Sequence, residues 1–227
     1  MKPFVVRTLS GIVFVAVMLA GLLINERLFR LLTTVMAVGM LNEFFYMPRK
    51  TGKRLSGWNA AAYYIVGTVY IVGGMILLNH LPYKDGSFSG ILPLCFFLLI
   101  WSSDVGAYCI GSTLGKRFNS RKMAPAVSPN KTWAGFWGGL ALCVIVAAVL
   151  KACGLLDMPL IHSLVWAVIV SCFGVLGDLL ESAWKRHFGV KDSGNVLPGH
   201  GGMLDRFDST LAALPAGALY LLIFNLI

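Results

Sequence analysis

Seven apolar runs, each close to membrane-spanning length, take up most of this chain, at residues 4–24, 28–47, 58–80, 90–111, 133–151, 160–181 and 209–227. The hydrocarbon core of a bilayer is about 30 Å thick, so about 20 apolar residues in a helix cross it once. An unpaired backbone N–H or C=O in hydrocarbon costs several kcal/mol, and a helix satisfies all of its own. An all-α, polytopic integral membrane protein with about seven transmembrane helices is therefore expected. Residues 1–227 are expected to form a single membrane-embedded domain. The composition agrees, with 57% hydrophobic and 13% charged residues, against about 25% charged in soluble domains. The first run follows Lys2 and Arg7 without a small-residue cleavage site, so it is expected to stay as a helix rather than leave as a signal peptide. No tandem repeat, low-complexity tract or soluble appendage stands out, which puts any chemistry at the membrane surface.

The positive charge orients the runs. Fifteen of the 19 Lys and Arg residues fall in one set of alternating loops. They are Lys2, Arg7, Arg49, Lys50, Lys53, Arg54, Lys116, Arg117, Arg121, Lys122, Lys131, Lys185, Arg186, Lys191 and Arg206. The opposite set holds Arg27, Arg30, Lys84 and Lys151. Basic loops stay cytoplasmic, so the amino terminus is expected inside and the carboxyl terminus outside a plasma (inner) membrane. The net charge of +9 follows from this placement, and nucleic-acid binding is not expected. The cysteines (Cys95, Cys109, Cys143, Cys153, Cys172) are scattered through apolar segments without a CxxC pair. They are expected to be small packing residues, not disulfides or zinc ligands.

Three acids stand where a bilayer should reject them. Asp104 and Asp178 lie at or near the ends of apolar runs and Glu43 lies within one. An isolated carboxylate in a spanning helix costs about 2.5–3.5 kcal/mol on insertion scales, so such a group is expected to face a partner, a cavity or an ion. In GDLLESAWKR, Asp178, Glu181, Ser182 and Lys185 share one helical face. Glu181 can pair with Lys185, whereas Asp178 has no basic residue one turn on. Downstream, LDRFDS carries Asp205 and Asp208. Two close carboxylates repel unless a cation lies between them, and a ligand set made only of oxygens suits Mg²⁺. The plainer assignment has Arg206 neutralising one Asp and Asp208 capping the last helix, but a third acid, Asp178, arriving at the same face favours a metal.

Between these acids runs SAWKRHFGVKDSGNVLPGHGGMLDRFD, residues 182–208. Gly199, Gly201 and Gly202 permit close approach of N–H groups to an anion, and His200 between them can bind phosphate or move a proton. Lys185, Arg186 and Lys191 can neutralise a polyphosphate, although topology alone would also require positive charge here. A second cluster joins DVGAYCIGSTLGKRF to SPNKTWAGFWGG. Gly111, Gly115 and Lys116 make a glycine-flanked basic turn whose spacing is not that of a P-loop. Ser128, Asn130, Lys131 and Thr132 precede a glycine-rich helix, as an anion site or as an ordinary cap.

Residues 182–208 resemble the signature of the phosphatidate cytidylyltransferase (CDP-diglyceride synthase) family. The order of that signature is met by Ser182, Lys185, Arg186, Lys191, Asp192, Ser193, Pro198, Gly199, His200, Gly201, Gly202, Asp205, Arg206 and Asp208. Gly177-Asp178-Leu179, the run from Asp104 to Tyr108, and Ser128-Pro129-x-Lys131-Thr132 also resemble family motifs, so residues 100–210 carry the likeness. The resemblance implies conversion of CTP and phosphatidic acid into CDP-diacylglycerol and pyrophosphate with Mg²⁺, in phospholipid biosynthesis, by a homodimer. It also implies that Asp178, Asp205 and Asp208 lie near the metal.

The reaction expected is attack of a lipid phosphate oxygen on the α-phosphorus of CTP. Asp178, Asp205 and Asp208 are expected to hold Mg²⁺, with a second cation such as K⁺ left open. Lys185, Arg186, Lys191 and Arg206 are expected to hold the triphosphate and the lipid phosphate. Asp104, Lys116, Ser128, Lys131, Thr132, Ser182, Asp192, Gly201 and Gly202 join the expected substrate site. The lipid phosphate is already ionised at neutral pH, so His200 is expected to position rather than accept a proton. A transporter or channel would spread its acids across membrane depth, whereas five of the 10 here lie between Asp178 and Asp208. A related cytidylyltransferase or kinase acting on another lipid is the nearer alternative, because apolar spans do not reveal which chain they hold.

Overall fold

A helix forms over each of the seven apolar runs. The computed structural model describes residues 3–52, 55–84, 86–117, 120–196, 199 and 201–227. In chain order its helices are α1 (Pro3–Leu23), α2 (Glu26–Lys50), α3 (Gly57–His80), α4 (Ile91–Ser112), the single turn α5 (Leu114–Arg117), α6 (Trp133–Ala152), α7 (Leu160–His187) and α8 (Leu204–Ile223). Among the described residues, α2, α3, α4, α6 and α7 are long and apolar enough to cross a membrane, and α1 adds a shorter apolar stretch, Arg7–Leu23. The chain is an all-α, multi-pass membrane protein. Among the described residues the strands are two short antiparallel pairs in loops, β1 (Tyr83–Lys84) with β2 (Ser87–Phe88) and β3 (Lys122–Ala124) with β4 (Ser128–Thr132).

Two helix ends depart from the apolar runs by five residues or more, and both departures build the site. α7 continues past residue 181 to His187, and α8 starts at Leu204 rather than 209. Apolarity ends where the bilayer does, but a helix continues as long as its side chains pair along a face. Glu181 and Lys185 do so at 2.6 Å. At the start of α6, Thr132 is the N-cap, its Oγ1 accepting from the Gly135 N–H at 3.1 Å.

Small residues set the close helix contacts. A Cβ on Gly106 would stand 2.6 Å from the Gly138 carbonyl oxygen, and one on Gly139 would stand 2.6 Å from that of Ser103. The backbones of α4 and α6 therefore touch, as in small-residue membrane interfaces. Gly177 on α7 lies equally close to the Asp208 backbone on α8. The Ser103 and Ser171 hydroxyls bond across α4 and α7 at 2.8 Å. Near the far end of α7, an aromatic cluster fastens α2 and α3 to it. Phe44 stacks on Tyr63 at 4.5 Å and meets Trp184 edge-on at 4.8 Å, and Tyr63 meets Phe188 at 5.3 Å.

Candidate functional site

The last two turns of α7 and the first turns of α8 face each other across the segment that joins them. On α7, the Ser182 hydroxyl donates to Asp178 Oδ1 at 3.2 Å, and the other carboxylate oxygen lies 2.6 Å from the Lys131 ammonium at the end of β4. One turn further on, Lys185 Nζ lies 2.6 Å from Glu181 Oε2 and 2.7 Å from Asp205 Oδ1. Lys185 thus joins two carboxylates from two helices, all three side chains being almost fully buried.

Asp205 also organises the loop before it. Its Oδ2 accepts from the Ser193 N–H at 2.9 Å and the Gly202 N–H at 2.8 Å. Gly201, between them, has φ of +87°, a left-handed conformation that other residues adopt only with strain. The same loop is held from its other side by Glu43 of α2. Glu43 Oε1 accepts from Met203 N at 2.8 Å, and Oε2 accepts from Leu204 N at 2.9 Å and the Ser193 hydroxyl at 2.7 Å. The place of Glu43 inside an apolar run points to a partner, but nothing in the sequence assigns it to this loop.

Of these groups, Lys131, Asp178, Lys185 and Asp205 border one cavity of about 950 Å³ between α4, α6, α7, α8 and the β3–β4 pair. Its charged lining is Asp104, Lys122, Lys131, Asp178, Lys185, Asp192, Asp205, Arg206 and Asp208. Gly111, Gly115 and Gly135 form a low wall opposite, with the hydroxyls of Ser112, Ser120 and Thr132. Asp104 and Asp208 have no ion-pair partner among the described residues. Asp208 accepts from the Ser209 N–H at 2.6 Å and does not cap α8, whose N-cap is Met203.

Most residues singled out from the sequence thus share this cavity, and several do not. Ser128 sits in β4 and Ser182 is buried against Asp178, neither on the cavity lining. The Arg186 guanidinium points elsewhere, donating to the Val190 carbonyl at 2.8 Å and the Val127 carbonyl at 3.4 Å. It ties the end of α7 to the β3–β4 turn. Lys191 is exposed, and Gly201 and Gly202 serve the loop rather than the lining. His200 and the Lys116 side chain lie outside the described residues. Asn130, expected with Lys131 and Thr132 at the start of the glycine-rich helix, lines the cavity, as do Lys122 and Tyr108, to which the sequence assigns no site role.

Among the described residues, no three Asp, Glu, His or Cys side chains already form a metal-holding group. In their place two ammonium groups sit on Asp178 and Asp205. Chemically the cavity can hold a polyanion against Lys131, Lys185 and Arg206, and present carboxylate oxygens to a hard cation bound with it.

A sequence model of the cytidylyltransferase family matches residues 53–224. The chain is 49% identical over 128 residues to a phosphatidate cytidylyltransferase of Bacillus subtilis (strain 168), covering 56% of this chain and 46% of that protein. It is 50% identical over 119 residues to one of Staphylococcus epidermidis, covering 52% of this chain and 44% of that protein. It is 45% identical over 156 residues to one of Staphylococcus saprophyticus, covering 68% and 56%. These alignments span about half the length of the curated relatives.

Proposed function

The chain belongs to the cytidylyltransferase family, and from that premise we propose that it transfers the cytidylyl group of CTP to phosphatidic acid. The observation that carries the reading is the joint cavity, where Asp178, Asp205, Asp208, Lys131, Lys185 and Arg206 arrive from β4, α7 and α8 at one end of a set of apolar helices. Both reactants are anions, so the protein's main task is to neutralise and align them. A lipid phosphate oxygen forms a bond to the α-phosphorus of CTP, the bond to the β-phosphate oxygen breaks, and pyrophosphate carries away that electron pair. The nucleophile is already ionised at neutral pH, and no proton has to move.

The residues fit Mg²⁺. The available donors are carboxylate oxygens, and Mg²⁺ takes one or two of these together with substrate phosphates. Among the described residues Asp104 and Asp208 have no ion-pair partner, while Asp178 and Asp205 already hold cationic groups in Lys131 and Lys185. Asp178, Asp205 and Asp208 are the proposed ligands, and a second cation such as K⁺ belongs to the same proposal. When bound, Mg²⁺ supplies charge neutralisation to the phosphate oxygens. Lys131, Lys185 and Arg206 would bind and orient the triphosphate and the lipid phosphate, and the glycine wall lets the nucleotide lie close to the α4 and α6 backbones.

The proposal includes the homodimer and the cytoplasmic cavity mouth expected from the sequence. Particle size in detergent tests the former. The function is tested by incubating purified protein with radiolabelled CTP, Mg²⁺ and phosphatidic acid. The expected result is label in the lipid extract, released pyrophosphate, and no lipid label when a lipid alcohol replaces phosphatidic acid. Label only with the alcohol, or none with any lipid, overturns the reading.

A further inference from the structure

Glu43 lies on α2, outside the family-matched residues 53–224, and does not line the cavity. It is 5% exposed and its carboxylate takes three donors, the Met203 and Leu204 N–H groups and the Ser193 hydroxyl. The Gly194 and Gly202 backbones lie so close to that carboxylate that a Cβ on either would collide with it. A buried carboxylate is costly unless it is hydrogen-bonded, and here two of the donors are N–H groups at the start of α8, where the helix dipole also favours negative charge. The loop is therefore gripped by two carboxylates. Glu43 takes the side chain of Ser193 and the start of α8, and Asp205 takes the main-chain N–H groups of Ser193 and Gly202.

We propose that Glu43 is a positioning residue for the cytidylyl transfer, fastening the loop between α7 and α8 to α2 so that Asp205 and Arg206 face the cavity. This rests on the activity proposed above. The catalytic half of the chain is then completed by an acid from the helices that precede it. Glutamine cannot replace Glu43 in this role. One carboxylate oxygen meets the Met203 N–H and the other meets the Leu204 N–H, so an amide in either flip sets its NH₂ against one of those donors.

The test compares wild-type protein with Glu43→Gln and with the milder Ser193→Ala, which removes one donor and leaves the backbone grip. Two readouts are needed, the Mg²⁺ dependence of cytidylyl transfer and the rate of tryptic cleavage after Lys191 relative to cleavage after Arg121. For Glu43→Gln the expected result is a turnover loss of about tenfold, the worth of one hydrogen bond to a charged group. Half-saturating Mg²⁺ should rise several-fold and Lys191 should be cut faster. Ser193→Ala should move both readouts the same way by less, and it decides the matter if Glu43→Gln fails to fold. A smaller active fraction lowers turnover but does not move half-saturating Mg²⁺. Faster cleavage with unmoved Mg²⁺ dependence would show a purely structural strap and overturn the positioning role. Unchanged cleavage and unchanged Mg²⁺ dependence overturn the proposal altogether. If wild-type protein labels no lipid, the activity reading fails, while the cleavage rates still decide whether Glu43 holds the loop.

Discussion

Replacing Asp178 and Asp205 by asparagine, one at a time, separates what each carboxylate does for chemistry from what it does for folding. The Asp178 side chain is 32% exposed and that of its partner Lys131 is 22% exposed. The side chains are partly exposed although the Lys131 ammonium nitrogen itself is buried, so the pair contributes about 1 kcal/mol rather than the roughly 3–5 kcal/mol of a fully buried one, and asparagine can still accept from Ser182. The thermal midpoint of Asp178→Asn should therefore fall by no more than about 4 °C for a chain of this size. Asp205 is 6% exposed and surrounded by three donors, Lys185 Nζ, Ser193 N and Gly202 N. An asparagine there turns an NH₂ toward one of them and removes the charge. Breaking a buried pair costs about 3–5 kcal/mol, and the low end applies because Glu181 still holds Lys185. A loss of about 3 kcal/mol corresponds to roughly 6–12 °C in midpoint. Both variants should lose at least a hundredfold in turnover, about 2.7 kcal/mol, because each removes negative charge from the cavity where Mg²⁺ is proposed to bind. Label transfer from CTP to phosphatidic acid and the thermal midpoint, measured on the same detergent samples, give the four numbers. If Asp178→Asn keeps more than about a tenth of the activity, its proposed place beside the metal is wrong. If Asp205→Asn melts with wild-type, Asp205 does not organise the loop.

Gly139→Leu should drive α4 and α6 apart, since even its Cβ would stand 2.6 Å from the Ser103 carbonyl oxygen. The expected loss is about 1–3 kcal/mol, read as a lower midpoint, with wild-type melting for Gly73→Ala, whose Cβ would meet nothing within 4 Å. In a cysteine-free background, a cysteine at Thr51 should react only with a reagent on the cytoplasmic side and one at Ser87 only from outside. The reverse pattern would put the cavity on the wrong face for cytosolic CTP.

How much of this site was legible in the sequence depends on the range of each interaction. The face shared by Asp178, Glu181, Ser182 and Lys185 is a matter of helical period, and the bonds Asp178–Ser182 and Glu181–Lys185 follow it. The period also bears on Arg186. A step of one residue turns a helix by about 100°, so when Lys185 faces the cavity Arg186 cannot. The apolar run stops at residue 181, before the helix does, so the end of the run does not show which way Arg186 faces. The bonds Lys131–Asp178 and Lys185–Asp205 cross between elements, and no local spacing encodes which acid a given lysine will meet. Glu43 marks the other limit. Its cost inside an apolar run points to a partner, a cavity or an ion, but two of its three partners are backbone N–H groups. Every residue except proline carries one of those, so nothing in the letters at 203 and 204 distinguishes them. What the letters do record is the absence of a side chain at Gly194 and Gly202, where a Cβ would meet the Glu43 carboxylate. Those two glycines are the imprint of Glu43 on a segment about 150 residues away in sequence.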